Sequence, residues 1–295
     1  MISEVDMPIV PIVDTHVHLW DPNEVRMSWL DGNAVLNKRY MVDELTAHAS
    51  GVALDSIVYV EVAVEPQYAI IEAQRVQRLA STWPTLAGIV AAAPVEFGGL
   101  ARAYYQALVD IGPQIKGVRR LFQGESDVNF ASRPEVVAGV RALADFGLSF
   151  DICIFHPQLP AVIELVRQVP DVQFVLDHVA KPDIKSGTLE PWRTHMRELA
   201  QLPNVVCKIS GMTTEADHRA WRHDDLVPYA DHVIDVFGDE RIMFGGDWPV
   251  SLMSTTYLAW VETVDSFVSQ LSQAGQARFW RDTAKRVYRL GHSRT

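Results

Sequence analysis

Eight short apolar runs rich in β-branched residues recur along the chain: PIVDTHV, SIVYVEV, AGIVAAA, IKGVRR, SFDICIF, VQFVLDH, NVVCKIS and RIMFGGD. Runs without a polar alternation suit strands buried on both faces, as in a parallel sheet covered by helices. The segments between them show helical spacing of apolar positions, as over 65–80, 133–147 and 226–238, with Gly or Pro at their ends. Eight such units in 295 residues predict an α/β protein, one (β/α)8 TIM barrel covering 1–295 as a single domain. A doubly wound open sheet is the rival architecture. It is weakened because no glycine-rich phosphate loop follows the first strand.

Composition narrows the partners. A hydrophobic fraction of 48% supports a large core, and the formal net charge of -11 argues against nucleic acid and against an anionic membrane surface, both of which need a basic face. The longest apolar run, LAGIVAAAPV, is short of the roughly 18 to 20 residues that cross a bilayer. The start, MISEVDMPIV, lacks the basic and then apolar pattern of a secretory signal. Cys153 and Cys207 fall inside strand-like runs and read as free buried thiols of a reducing compartment. The expectation is a cytoplasmic protein with a small-molecule partner; aromatic stretches such as TYLAWVETVDSFV leave a homo-oligomer open.

Loops that follow strands gather at the C-terminal mouth of a barrel, where active sites are built. Three are long here: LWDPNEVRMSWLDGNAVLNKRY, LFQGESDVNF and GMTTEADHRAWRHDD. They read as a lid, with Trp20, Trp29, Phe122 and Trp221 as candidate walls. Residues two apart on a strand share a face, so His16 and His18 both aim into the mouth. His156, His178, Arg119 and Asp247 stand where other apolar runs stop, which gathers a composite site at the strand ends. Asp14 reads as a residue that pairs with backbone N–H groups, and Glu61 as a pocket residue or a salt-bridge partner. Gly245 and Gly246 read as a turn or a close approach of backbone. His48, His195, His218, His223, His232 and His292 read as surface or structural, with His218 and His223 on a loop able to reach the mouth.

The ordered set VDTHVHLWDP, KGVR, LDHVAKPDI, CKISGM and MFGGDWPVS resembles the amidohydrolase superfamily, and within it the amidohydrolase-2 group with its sugar-lactone hydrolases such as L-fuconolactonase and L-rhamnonolactonase. The resemblance implies a hydrolase that opens a sugar (aldono-) lactone to the aldonic acid. It makes His16 and His18 the first-strand pair, His178 the sixth-strand histidine and Asp247 the acid that activates water. Two-metal members of the superfamily resemble one another in a fourth-strand lysine; here that strand carries Arg119 and Arg120, which argues against a second metal and makes Arg119 a donor to substrate oxygens. Trp20, Trp29, His156, Lys181, Lys208 and Trp248 are candidate substrate contacts. Two options stay open for a cofactor: one divalent metal such as Zn on His16, His18 and Asp247 with His156 or His178, or catalysis that dispenses with metal. Other readings are a pyrone-dicarboxylate hydrolase or nonoxidative decarboxylase of the same group, and a non-catalytic ligand-binding barrel.

Overall fold

A computed structural model describes residues 8–291; most of the N-terminal stretch read for a signal, and His292, lie outside them. All eight runs form strands: β1 Ile12–Val17, β2 Leu54–Val60, β3 Leu86–Ala92, β4 Ile115–Leu121, β5 Ser149–Cys153, β6 Phe174–Leu176, β7 Val205–Ile209 and β8 Ile242–Phe244. Each pairs in parallel with the next. The ring closes where Val17 bridges Trp248: the His18 N–H donates to Trp248 O and the Asp247 N–H to His16 O, both at 2.8 Å. That closure draws Asp247 against the two first-strand histidines.

Helices cover the outside: α1 Val42–His48, α2 Ala69–Thr82, α3 Ala101–Ile111, α4 Pro134–Ala142, α5 Leu159–Gln168, α6 Trp192–Leu199, α7 His223–Phe237 and α8 Tyr257–Val268. Pro134 and Pro160 occupy first-turn positions, where a missing N–H leaves no bond unmade. Thr256 caps α8 by accepting the Ala259 N–H at 3.1 Å. Among the described residues, no helix is long and apolar enough to cross a membrane. Cys153 and Cys207 are free and buried.

Strand parity divides the core in two. Val13, Val58, Val60, Val90, Val175, Val206 and Met243 fill the barrel interior, plugged from below by Val287, Tyr288 and Leu290. The alternate residues, such as Tyr59, Ile89, Phe150 and Phe244, face the helices. β1 departs from simple alternation through a register shift between Asp14 and Val17. Asp14, next to the inward Val13, points outward and accepts from Tyr257 Oη of α8 at 2.9 Å, while beyond the shift His16, two residues on, sits inside among the strand-end groups.

One outer-face carboxylate makes stability depend on pH. Glu72 of α2 accepts from Tyr59 Oη at 2.7 Å and from the Val62 N–H at 2.8 Å. Burial, and then the nearby charge of Glu61, push its pKa up to about 8. The folded chain therefore holds a proton that the unfolded chain releases near its ordinary value, and stability falls as pH rises from about 4.5 to about 8. Thermal melts of Glu72→Gln should match wild type near pH 5 and lie above it near pH 9. Equal melting temperatures at pH 9 would contradict this.

Candidate active site

Three strand ends converge at the barrel mouth. His16 comes from β1 and His18 from just past its end; His178 follows β6 and Asp247 follows β8. The Nε2 atoms of His16, His18 and His178 lie 3.8, 3.6 and 3.9 Å from one carboxylate oxygen, Asp247 Oδ1. These spacings exceed a direct hydrogen bond and suit an atom held between the groups. Both His178 and Asp247 have positive φ, which turns each side chain off its strand and over the mouth.

Hydrogen-bond partners fix what the imidazoles present. A carbonyl can only accept, so His18 Nδ1 donates to Val60 O at 2.8 Å and its Nε2 carries the lone pair. On His16 the two ring nitrogens meet different cations, Arg119 Nη1 standing 3.3 Å from Nε2. His16 Nδ1 lies 3.3 Å from both Asp177 Oδ1 and Lys208 Nζ. Burial drives the pKa of His16 and His178 well below the ordinary value, keeping both neutral. Burial alone would raise Asp247, but His178 and His18 outweigh it and hold the carboxyl below its usual range. The centre is therefore a carboxylate ringed by three imidazoles, an arrangement that suits a cation or a hydrogen-bonded water between them.

A charged layer lies beneath. Arg119 donates from Nε to Glu61 Oε1 at 2.6 Å, from Nη2 to Glu61 O at 2.6 Å and from Nη1 to Asp177 Oδ2 at 3.2 Å. With His16 also served, one of its five donors remains for a ligand. Lys208 pairs with Asp151 at 2.7 Å and Asp177 at 3.0 Å, and Tyr288 Oη donates to Asp151 at 2.7 Å. Burial opposes the charge on Lys208, but the two aspartates prevail and raise its pKa. Glu61, Asp151 and Asp177 thus face Arg119 and Lys208, and with Asp247 beside the histidines four carboxyl groups stand against two cations in a buried cluster.

Donor chemistry and charge both fit one divalent cation. His16, His178 and Asp247 offer ligand atoms all within 4.8 Å of one another, with His18 Nε2 beside them. Ligands of a tetrahedral Zn, each about 2.0–2.1 Å from the ion, stand about 3.4 Å apart, slightly closer than the spacings here. The Arg119 guanidinium, not a lysine, fills the neighbouring space.

Above the cluster is a cavity of about 260 Å³ whose lining includes His18, His178, Asp247, Arg119, Lys181 and Trp29. Trp20 also lines it but is almost wholly buried, its Nε1 donating to Leu36 O and Lys38 O. Trp29 is 41% exposed and donates to Val62 O at 2.8 Å. Lys181 reaches the cavity and pairs with Glu215 at 3.8 Å.

Other expected residues lie elsewhere. Lys208 has no exposed surface and sits a layer too deep, beneath His16. Trp248, one residue past Asp247, faces the opposite side and packs on Tyr40 and His48. His156 stands at a 3-10 turn after β5, which ends at Cys153, and Cys153 is the residue that lines the cavity. His156 is therefore not placed to complete the His16, His18 and Asp247 metal set, whereas His178 is. Phe122 is buried against Phe130 and Phe150, and Trp221 donates to Ser254 O. His218 and His223 are exposed, bonded to Thr214 O and Ser266 Oγ.

Two groups were missed by sequence reasoning. Asp177 touches His16, Arg119 and Lys208, and Asp151 anchors Lys208. Each was visible as an acid inside an apolar run, FDIC and VLDH. Glycines keep the site open. A Cβ on Gly246 would stand 2.3 Å from Asp14 Oδ2, and one on Gly211, at φ +58°, 2.5 Å from His178 Nδ1. Gly211→Ala should displace the His178 ring and lower kcat at least tenfold while the fold survives, as read by steady-state kinetics beside circular dichroism.

The family model described as Amidohydrolase matches residues 13–290. The chain is 32% identical to L-fucono-1,5-lactonase of Burkholderia multivorans over 290 residues, 94% of this chain and 96% of that protein. It is 26% identical to L-rhamnono-gamma-lactonase of Scheffersomyces stipitis over 157 residues, 46% of each chain. A zinc-bound crystal structure of an amidohydrolase from Burkholderia multivorans superposes with a TM-score of 0.85 at 32% identity, covering 95% of this chain and all of the other. With eight parallel strands ending in this histidine–aspartate cluster and a family match over nearly its whole length, the chain belongs to the amidohydrolase family.

Proposed function

We propose that the protein hydrolyses a sugar lactone to its aldonic acid, with Asp247 as general base. The observation that carries this reading is the convergence of three imidazole Nε2 atoms on Asp247 Oδ1 under an open pocket. The likeness to lactonases over most of the chain supports the lactone bond as target.

In this mechanism a water held against Asp247 Oδ1 gives its proton to the carboxylate as its oxygen adds to the lactone carbonyl. The tetrahedral oxyanion is met by the remaining N–H of Arg119 and the positive charge of Lys181 at the pocket wall. As the ring C–O bond breaks, Asp247 returns the proton to the leaving alkoxide, which restores the carboxylate. Asp177 and Lys208 hold the His16 ring and Val60 O the His18 ring, which fixes both imidazoles beside Asp247. His16, His178 and Asp247, with His18, are the residues that would hold one Zn ion, which supplies Lewis-acid stabilisation of developing negative charge.

The pocket favours a neutral, hydroxyl-rich ring. Gln123 and Thr214 offer neutral hydrogen-bonding groups, and the lining cations are Arg119 and Lys181. Arg120, which a pyrone dicarboxylate would need as a further anion partner, is turned away to Glu96 at 3.0 Å and Glu125 at 2.5 Å. Incubating the purified protein with aldono-1,4- and 1,5-lactones, and with pyrone dicarboxylates, should yield an aldonic acid by NMR. Turnover of the dicarboxylates alone, or of no lactone, would contradict the reading.

A further inference from the structure

Next to the active-site pocket lies a second chamber of about 540 Å³, between the loops that follow β2 and β3. The two cavities share Ala63, Arg119 and Leu121. The chamber is open because four alanines, Ala63, Ala69, Ala92 and Ala93, line it where longer side chains would fill the space. Its rim carries Phe97, 60% exposed, a large apolar side chain with its surface left to water.

The chamber's charges are already matched. Glu61 is paired with Arg119 at 2.6 Å and Glu96 with Arg120 at 3.0 Å, so the lining charges offset one another and the oxygen left without a hydrogen-bond partner is Glu96 Oε2. Apolar walls with internally neutralised charges select an uncharged apolar group. The shared residues set the chamber directly against the first pocket.

We propose that this chamber receives an alkyl or aryl substituent carried by the lactone ring, so that the substrate class includes lactones with an apolar branch. The proposal rests on the lactone-hydrolase reading of the adjoining site.

The test is a homologous series of γ-alkyl-γ-butyrolactones, methyl to hexyl, assayed for kcat/KM. Wild type should gain about three- to fourfold per added methylene until the chamber is full. In Ala92→Phe, which occupies the chamber, the hexyl-to-methyl ratio should fall at least tenfold. Phe97→Ser, at an exposed position that does not disturb packing, should lower the same ratio several-fold. A flat or falling series in wild type, or an unchanged ratio in both variants, would overturn the proposal. If no lactone of any kind is turned over, the reading of the active site fails by itself. The chamber is then judged by calorimetric titration with the same compounds: affinity that grows with chain length in wild type but not in Ala92→Phe supports it, and affinity independent of chain length overturns it.

Discussion

Asp247→Asn should reduce kcat on the preferred lactone by about 10³-fold, within the roughly 10²- to 10⁴-fold that general-base help supplies. The amide keeps the shape of the side chain but cannot take a proton from water. Substrate affinity should change little, because the other pocket-lining groups remain in place. The fold should also survive: the Asp247 backbone N–H still donates to His16 O, and barrel closure runs through that bond and the Val17–Trp248 bridge, not through the carboxylate. Steady-state kinetics with calorimetric binding separate the terms. A variant retaining more than a tenth of wild-type kcat would remove Asp247 from the role of base.

The second large effect concerns Arg119→Met. The substitution keeps much of the aliphatic stem but leaves Glu61 without its main partner and takes one of two cations from Asp177, at positions almost without solvent. Breaking a buried pair from one side costs about 3–5 kcal/mol, because the abandoned charge stays buried. That corresponds to a loss of roughly 10 °C in Tm for a domain of this size. Activity should disappear with it, since His16 Nε2 loses its donor and the pocket loses its guanidinium. Adding Glu61→Gln should recover part of the stability but not the activity, a coupling that a double-mutant cycle reads directly. If the single variant melts within 2 °C of wild type, the charged layer does not hold the site in the way described.

Much of this layout was legible from residue order. Strands of a barrel end at one face, so His16, His18, His178 and Asp247 could be gathered there without knowing a single distance. Depth and parity were harder to read. Lys208 of β7 and Ser210 just past its end are two residues apart, but only Ser210 rises high enough to touch His178, at 2.9 Å. The apolar run SFDICIF conceals that hydrogen bonding stops at Cys153, which hands the pocket position to a thiol and moves His156 to the rim. The Asp14–Val17 register shift has no sequence signature in a run of mostly apolar residues, yet it separates the outward Asp14 from the inward His16. Asp151 and Asp177 escaped notice because a single acid in a strand is usually read as an edge position, whereas here Lys208 and Arg119 neutralise them inside the barrel.

The most direct test of the central claim is the fate of solvent oxygen. With an aldono-lactone in water enriched in ¹⁸O, the wild-type enzyme should release an aldonic acid carrying one label, located in the carboxylate, because water held by Asp247 attacks the carbonyl carbon; Asp247→Asn should form almost none. Label in the ring-derived hydroxyl, or equal labelled product from both proteins, would contradict it.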